Sequence, residues 1–427
     1  MGTLIGIGFG SYTGGGGVPS TLDFYSPLTS SLTLTTGTAS STFTRATTAT
    51  CIDSGGLVTP CASGEARFEG STHNGTNDWT AHANSKGILI EEARTNIIQE
   101  SETMTTWWSA NGTPTQVLTA IGVDGAAGAM TLTDNDGAAF EFYYASGISV
   151  SANTNTHIAT IYYAKTTSAS SFPGVSLQVL GTTERQDTTI NTDTGVLSNR
   201  DGVTSTGSAT SQSIGNFWKV SIYVTNDGIG IALRLDMMIA VSTTGSGAWL
   251  STITGSATWD AIQLELNADF PTSYIPSTGG TTARNADVLT YDYQPSATTG
   301  SMVMTTTPLV AANDAVALGH NTSCLYMTGT PRESNDGTNQ VVFGNPTVNT
   351  ETNYGLTWED AGTPETATYK DGSQINTGAL DAGFDPSTNE LGIGCQGSTG
   401  TLQQSGTYKE IKIYTDAKDQ AFMEAAT

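Results

Sequence analysis

The sequence predicts an all-β protein built from two β-sandwich or jelly-roll domains, with a flexible Gly-rich N-terminal arm and a short C-terminal helix. Three observations lead there. The chain has 427 residues, more than one ordinary core accommodates. Only 13% of residues are charged, whereas Gly alone supplies 49 and Thr and Ser crowd most segments. Thr fits the pleat and Gly takes positive φ, so this composition favours strands and tight turns over helices. Short runs rich in β-branched and aromatic residues also recur between turn signals along most of the chain.

In chain order, 1–17 is Gly-rich and aperiodic, and reads as an extended arm. Its "GIGFG" is no dinucleotide fingerprint, because no strand–helix unit follows. Residues 18–100 alternate in strand-length runs ("SLTLTTG", "STFTRATTATCID") and are expected to pack with the next domain. Ser54-Gly55-Gly56 reads as a hairpin turn between Cys51 and Cys61. A cross-hairpin disulfide and two free thiols both remain open for that pair. "GILIEEARTN" (87–96) is ambiguous, since Leu, Glu, Ala and Arg also favour helix.

Residues 101–292 repeat the strand grammar with more aromatics: "AAFEFYYA", "HIATIYYAK", "VSLQVL", "FWKVSIYVT" and "AIQLEL", separated by "DNDG", "FPG", "NTDTG" and "TNDG". Many short strands at such spacing predict a jelly roll. "DYQPSATTG" (292–300) is the expected boundary before a second sandwich, 293–427, where Lys370-Asp371-Gly372 marks a hairpin. The last segment, "TDAKDQAFMEAAT", predicts a helix capped by Asp416, with Asp419 in its first turn and Ala417, Ala421, Phe422 and Ala425 on one face. It is expected to close one end of the last sandwich.

The formal net charge of −24 opposes nucleic-acid and anionic-membrane partners. No stretch approaches the ~20 apolar residues of a membrane span. The start lacks the basic and apolar regions of a secretory signal, so synthesis in a cytoplasm without classical export is expected. His73, His82, His157 and His320 form no close pair, and neither G-x-S-x-G nor a P-loop occurs.

Adjacent Glu91 and Glu92 diverge on a strand or a helix, which rules them out as the opposed carboxyls of a glycosidase. No catalytic residues and no cofactor are expected. Asp134 and Asp136 in "DNDG" are oxygen-rich enough for Ca²⁺, against the commoner reading of an ordinary turn. Trp107, Trp108 and Trp358 are the aromatics that could stack on sugar rings, against core roles for each. Arg45, Arg67, Arg94 and Arg284 lie in compact motifs beside Glu or Asp, in a chain short of cations. They are expected to be structural forks for carboxylates and carbonyls.

Those motifs carry a resemblance. "FTRATTATCIDSGGLV", "GEARFEG", "GILIEEARTNII" and "WDAIQLELNADFPTSYIPSTGGTTARNADVLTYD" resemble, in words and in order, a module of tailed-bacteriophage tail-fibre, tailspike and head-fibre proteins. The likeness covers roughly residues 20–292. It implies that Ile88 to Glu91 is strand, that Arg94 and Asn96 are structural, and that a carbohydrate-binding-type jelly roll lies between "LIEEARTN" and "SYIP". Residues 301–427 resemble concanavalin/laminin-G-like sandwiches in "YGLTWED", "ATYKDGSQI", "ELGIGCQG" and "YKEIKIYTDAKDQAFMEA". The resemblance implies a non-enzymatic virion surface protein, made in the host cytoplasm, trimeric, attached to other virion proteins by its arm and binding host polysaccharide. The structural alternative is a capsid or tail decoration protein.

Overall fold

The computed structural model describes residues 21–296, 298–310, 315–319, 324–327, 347–360, 366–378, 390–394 and 404–427, with backbone alone at 315–319 and 324–327. The expected arm (1–17), His320 and Cys395 lie outside the described residues. The protein is all-β, and Gln420–Ala426 is the one α-helix among those residues.

The middle of the chain forms a sandwich of two six-stranded antiparallel sheets. One runs, in spatial order, Ser109–Asn111, Phe142–Ser149, Ala232–Ser242, Phe172–Val179, Arg185–Ile190 and Leu197–Asn199. The other runs Thr115–Ile121, Ala127–Asp134, Gly255–Glu265, Thr156–Ala164, Phe217–Thr225 and Ser208–Ile214. The eight main strands, taken from Ala127 onward, interleave as first-eighth-third-sixth against second-seventh-fourth-fifth. Two Greek keys wound together give that order, so this is a jelly roll. Period-two alternation explains why it closes: Val220, Ile222 and Val224 point into the core with Ile161, Tyr163, Leu235 and Met237, while the intervening residues face out.

The second sandwich differs from the expected division of the chain. Its larger sheet orders Ser373–Gly378, Thr366–Lys370, Thr352–Glu359, Thr299–Pro308, Gly406–Tyr414, Gly87–Ile90 and Phe68–Glu69. Leu22–Ser26 pairs with the far half of Gly406–Tyr414, beyond Gly87–Ile90. The facing sheet holds Ser41–Thr44, Val288–Tyr291, Leu391–Ile393, Ala315–Gly319 and Cys324–Met327. Residues 18–100 therefore supply strands to the sandwich completed by 288–427, and one core joins Phe24, Ile88 and Ile90 to Tyr291, Met304 and Ile411.

The boundary expected at 292–300 is likewise corrected. That stretch links Val288–Tyr291 in one sheet to Thr299–Pro308 in the other, and a Pro/Ser/Gly-rich turn inside a sandwich has the composition of a linker. Gly87 marks the tightest seam: its φ is +95°, and a Cβ there would collide with the Tyr408 carbonyl of the adjoining strand.

The jelly roll is thus an insertion. The chain enters it after Arg94–Asn96 and returns through Thr282–Arg284, and these two short strands pair with each other. Asn96, fully buried, holds the entrance: its amide donates to the carbonyls of Ile262 (3.2 Å) and Ile275 (2.9 Å) and accepts from the amides of Ile98 and Leu264 (3.0 Å each). The hairpin Ala49–Ile52/Val58–Cys61 docks onto the jelly roll through Val58, Val123, Ile214 and Phe217. Its turn meets the jelly roll glycine to glycine. A Cβ on Gly56 would lie 2.6 Å from the amide nitrogen of Gly215, and one on Gly215 2.6 Å from the Gly56 carbonyl oxygen.

The C-terminal helix lies on the outer face of the larger sheet, not across a sandwich end. Met423 is its buried residue, packed with Val303, Ala367, Tyr369 and Tyr414. Asp419, not Asp416, is its N-cap and accepts from the Phe422 amide at 2.8 Å, because Asp416 instead accepts from Lys418 Nζ.

This topology makes two fragments behave oppositely. Residues 97–281 expressed alone should fold cooperatively, with dispersed amide resonances in an NMR spectrum. Residues 293–427 alone lack five strands of their sandwich and should remain unfolded or aggregated. A folded 293–427 fragment would restore the original boundary.

Candidate functional site

A buried ionic network stands where the two sandwiches join. Arg67 and Arg284 both donate to Glu91, Arg67 also pairs with Asp287, and Arg45 Nη1 reaches Asp287 at 2.9 Å; all five side chains are buried. Backbone groups take up further capacity: Arg45 donates to the carbonyls of Thr47 (2.9 Å) and Ala62 (2.6 Å), Arg67 to Thr50 (2.7 Å) and Arg284 to Glu92 (2.7 Å). Glu91 accepts from the Ser273 amide and hydroxyl, both at 2.7 Å. Burial alone would raise the Glu91 carboxyl, but Arg284, Arg67 and Ser273 outweigh it and hold the group well below the usual carboxylate range. Arg94 pairs with Glu92 at the rim and lies 5.5 Å from the Phe270 ring centroid.

Beside this network opens a cleft of about 690 Å³ between the sandwiches. One wall is the outer face of a jelly-roll sheet, where Lys219, Ser221 and Tyr223 alternate out of "FWKVSIYVT" and pair with Gln212, Thr210 and Ser208. The opposite wall holds Glu69, Lys86, Leu89, Thr307 and Thr407 from the other sandwich. Cys51, Phe270 and Tyr274 complete it. Polar groups and rings facing one another at a domain junction make a usual small-ligand site.

Charges within the cleft are perturbed. Burial pushes the Glu69 carboxyl up, with Lys86 and Lys219 pulling it back, and burial pushes the Lys219 ammonium down against the attraction of Glu91, Glu69 and Glu265. Sequence reasoning missed Glu69, Lys86, Lys219 and Tyr223. The legible signal was the outward half of the alternating strand, Lys-Ser-Tyr, which is polar where solvent or a ligand must lie.

The three tryptophans form no shared platform. Trp108 (5% exposed) and Trp358 (3% exposed) are core residues, whose indoles donate to the carbonyls of Glu100 (3.1 Å) and Ser296 (3.0 Å). As stacking faces for sugar they are corrected, because large apolar rings are drawn into the cores that form around them. Trp107 is half-buried, edge-on to Trp108. Its loop is pinned by Glu100, which burial would raise but which donors from Thr105, Thr106 and the Trp107 amide bring down to about 2.

The Asp134 carboxylate accepts from the amides of Asp136 (3.0 Å) and Glu141 (3.2 Å), and Asp136 accepts from the Ala138 amide (2.8 Å). These oxygens shape the turn, and no metal-holding group of three or more ligands occurs among the described residues. Cys51 and Cys61 are buried free thiols with sulfurs 3.7 Å apart.

No protein-family model and no curated protein matches the chain. Among solved structures, one match is domain 4 of AbnA, a GH43 extracellular arabinanase from Geobacillus stearothermophilus, in complex with arabinotriose. It is 12% identical, covers 38% of this chain and 84% of that chain, and has a TM-score of 0.27.

Breaking the network should be costly, because each guanidinium or carboxylate left behind stays buried without its partner. Arg67→Ala and Glu91→Ala should each lower unfolding free energy by about 3–5 kcal/mol in denaturant titration. Glu91 titrates near 4.5 in an unfolded chain and well below that when folded, so the unfolded state binds its proton more tightly. Its stabilisation is complete above pH 4.5 and lost as pH falls from there toward the folded value. Melting temperature should therefore drop on acidification, with a shallower slope in Glu91→Gln.

Proposed function

We propose that this chain is a surface protein of a tailed-bacteriophage virion, a fibre or appendage, that binds host-surface glycan without cleaving it. The cleft between the sandwiches is the binding site, and its geometry is the observation that carries the reading. Thr210, Gln212, Ser221 and the Tyr223 ring line one wall, and the Glu69 carboxyl lines the wall opposite, of a space of saccharide dimensions. The ordered motifs from "FTRA" to "TTARNAD" support the virion assignment, since in this fold they form the network that mounts the jelly roll. Attachment runs through the Gly-rich N-terminus to other virion proteins, assembly is as a homotrimer, and synthesis is in the host cytoplasm. Shallow single sites become effective through the several copies a particle displays.

A second reading, a capsid or tail decoration protein, has its own observation. Thr115–Ile121 is an edge strand whose Val117, Leu118 and Ile121 are exposed, and apolar edges of that kind suit contact with neighbouring subunits.

Binding of host polysaccharide to the full chain, read by a glycan array and by adsorption to cells, separates the two. Tyr223→Ala should weaken binding by about 1 kcal/mol, a several-fold loss, with little change in melting temperature. Trp108→Ala and Trp358→Ala should instead cost about 3–5 kcal/mol of stability. A wild-type chain that binds no host polysaccharide favours decoration.

A further inference from the structure

The cleft contains an arrangement of charge that glycan binding alone does not require. In a chain of net charge −24, cations are scarce and almost all are engaged. Among the described residues, every Lys and Arg except two makes a side-chain ion pair, hydrogen bond or ring contact. The two exceptions are Lys86 and Lys219, and both line this one cleft. They approach from opposite sandwiches, repel each other, and both attract Glu69, which lines the same cleft, without an ion pair to it. Glu69 Oε2 accepts from the Ile52 amide at 3.0 Å, whereas its other oxygen carries no hydrogen bond.

Lys219 is partly buried and Lys86 exposed on the other wall, and an anion bound in the cleft is attracted by both, which turns their mutual repulsion into paired attraction. A bare inorganic ion would leave the surrounding hydroxyls, the Gln212 amide and the Tyr223 ring unused. A monoanionic group on a hydroxylated chain uses all of them.

We propose that the cleft recognises an acidic saccharide, with Lys86 and Lys219 clasping one oxyanion, either a uronate carboxylate or a polyol phosphodiester. Glu69 and Gln212 take hydroxyls of the same or the adjoining unit, and Tyr223 covers its apolar face. A single charge suits the site, since Glu69, Glu91, Asp269 and Glu351 also line it and would oppose a denser anion. This rests on the glycan-binding reading above and specifies its ligand class.

The test is calorimetric titration of the full chain with an oligouronate, a glycerol-phosphate oligomer and a neutral gluco-oligosaccharide of similar length. At least one anionic oligomer should bind, and which of the two binds identifies the source of the oxyanion. Lys86→Gln/Lys219→Gln should weaken that binding by about tenfold or more, and Lys86→Arg/Lys219→Arg should retain most of it. Raising ionic strength from about 0.05 to about 0.5 M should weaken anionic binding as well, a readout independent of any variant. Neither lysine makes a native side-chain hydrogen bond or ion pair, so both variants should remain folded at the binding temperature by circular dichroism and thermal melt, which separates lost binding from lost fold. Wild-type binding of the neutral oligomer alone, or anionic binding indifferent to both Lys→Gln changes and salt, would overturn the acidic-ligand inference and leave glycan binding standing. No binding of any of the three would overturn both.

Discussion

The structure depends on one buried charge network. Arg45, Arg67 and Glu91 come from the first quarter of the chain, Ser273 comes from the last stretch of the insert, after its final strand, and Arg284 and Asp287 come from its exit. The Glu91 amide donates to Asp287 at 2.9 Å across 196 residues. Closing a flexible loop of that length would cost about 5 kcal/mol by the logarithmic rule alone. A folded jelly roll, whose two ends already pair, removes most of that cost. The network therefore joins two folding problems: the insert brings the ends together, and the ends then complete the sandwich that holds it. Its five charged side chains are also what would be most damaged by loss of a single member, because a buried charge without a partner is worse than no charge.

Away from the network the chain handles charge locally. Arg185 pairs with Asp187, Arg234 with Asp236, Lys412 with Glu410 and Lys418 with Asp416, each two residues apart. In the first three pairs, which lie on strands, that spacing puts both side chains on one face. The surface neutralises many of its cations within single strands, and the surplus is acidic. Against such a background, an unengaged ammonium is informative in a way that it would not be on a lysine-rich surface.

Much of this was legible in the sequence, for reasons that differ by element. Strand content followed from period-two runs such as "FWKVSIYVT", and the turn at Gly55-Gly56 from local chemistry. Arginines beside acids in a cation-poor chain pointed to structural forks. What escaped was long-range. Nothing local in "GILI" says that its partner is "GTY" (406–408), more than 300 residues away, and "DYQPSATTG" has linker composition although it joins two strands of one sandwich. Trp108 and Trp358 are the kind of ring that fills cores or stacks on sugars, and only tertiary placement separates those roles. The cleft residues come from several distant segments, so no spacing rule could assemble Glu69, Lys86 and Lys219. Helix capping shifted from Asp416 to Asp419 because the nearby Lys418 engages the first carboxylate.

The paired strands Arg94–Asn96 and Thr282–Arg284 have a consequence for how such a chain can change. Everything between them departs and returns at one place, so the host sandwich meets the insert mainly at two backbone ends, one docked hairpin and the Ser273–Tyr274 segment that bonds Glu91, Arg67 and Thr50. A different domain with adjacent termini could occupy the same socket without disturbing a strand of the host. Recombination at this doorway would exchange one wall of the cleft as a cassette while preserving the other, and binding preference could then turn over faster than the particle that carries it.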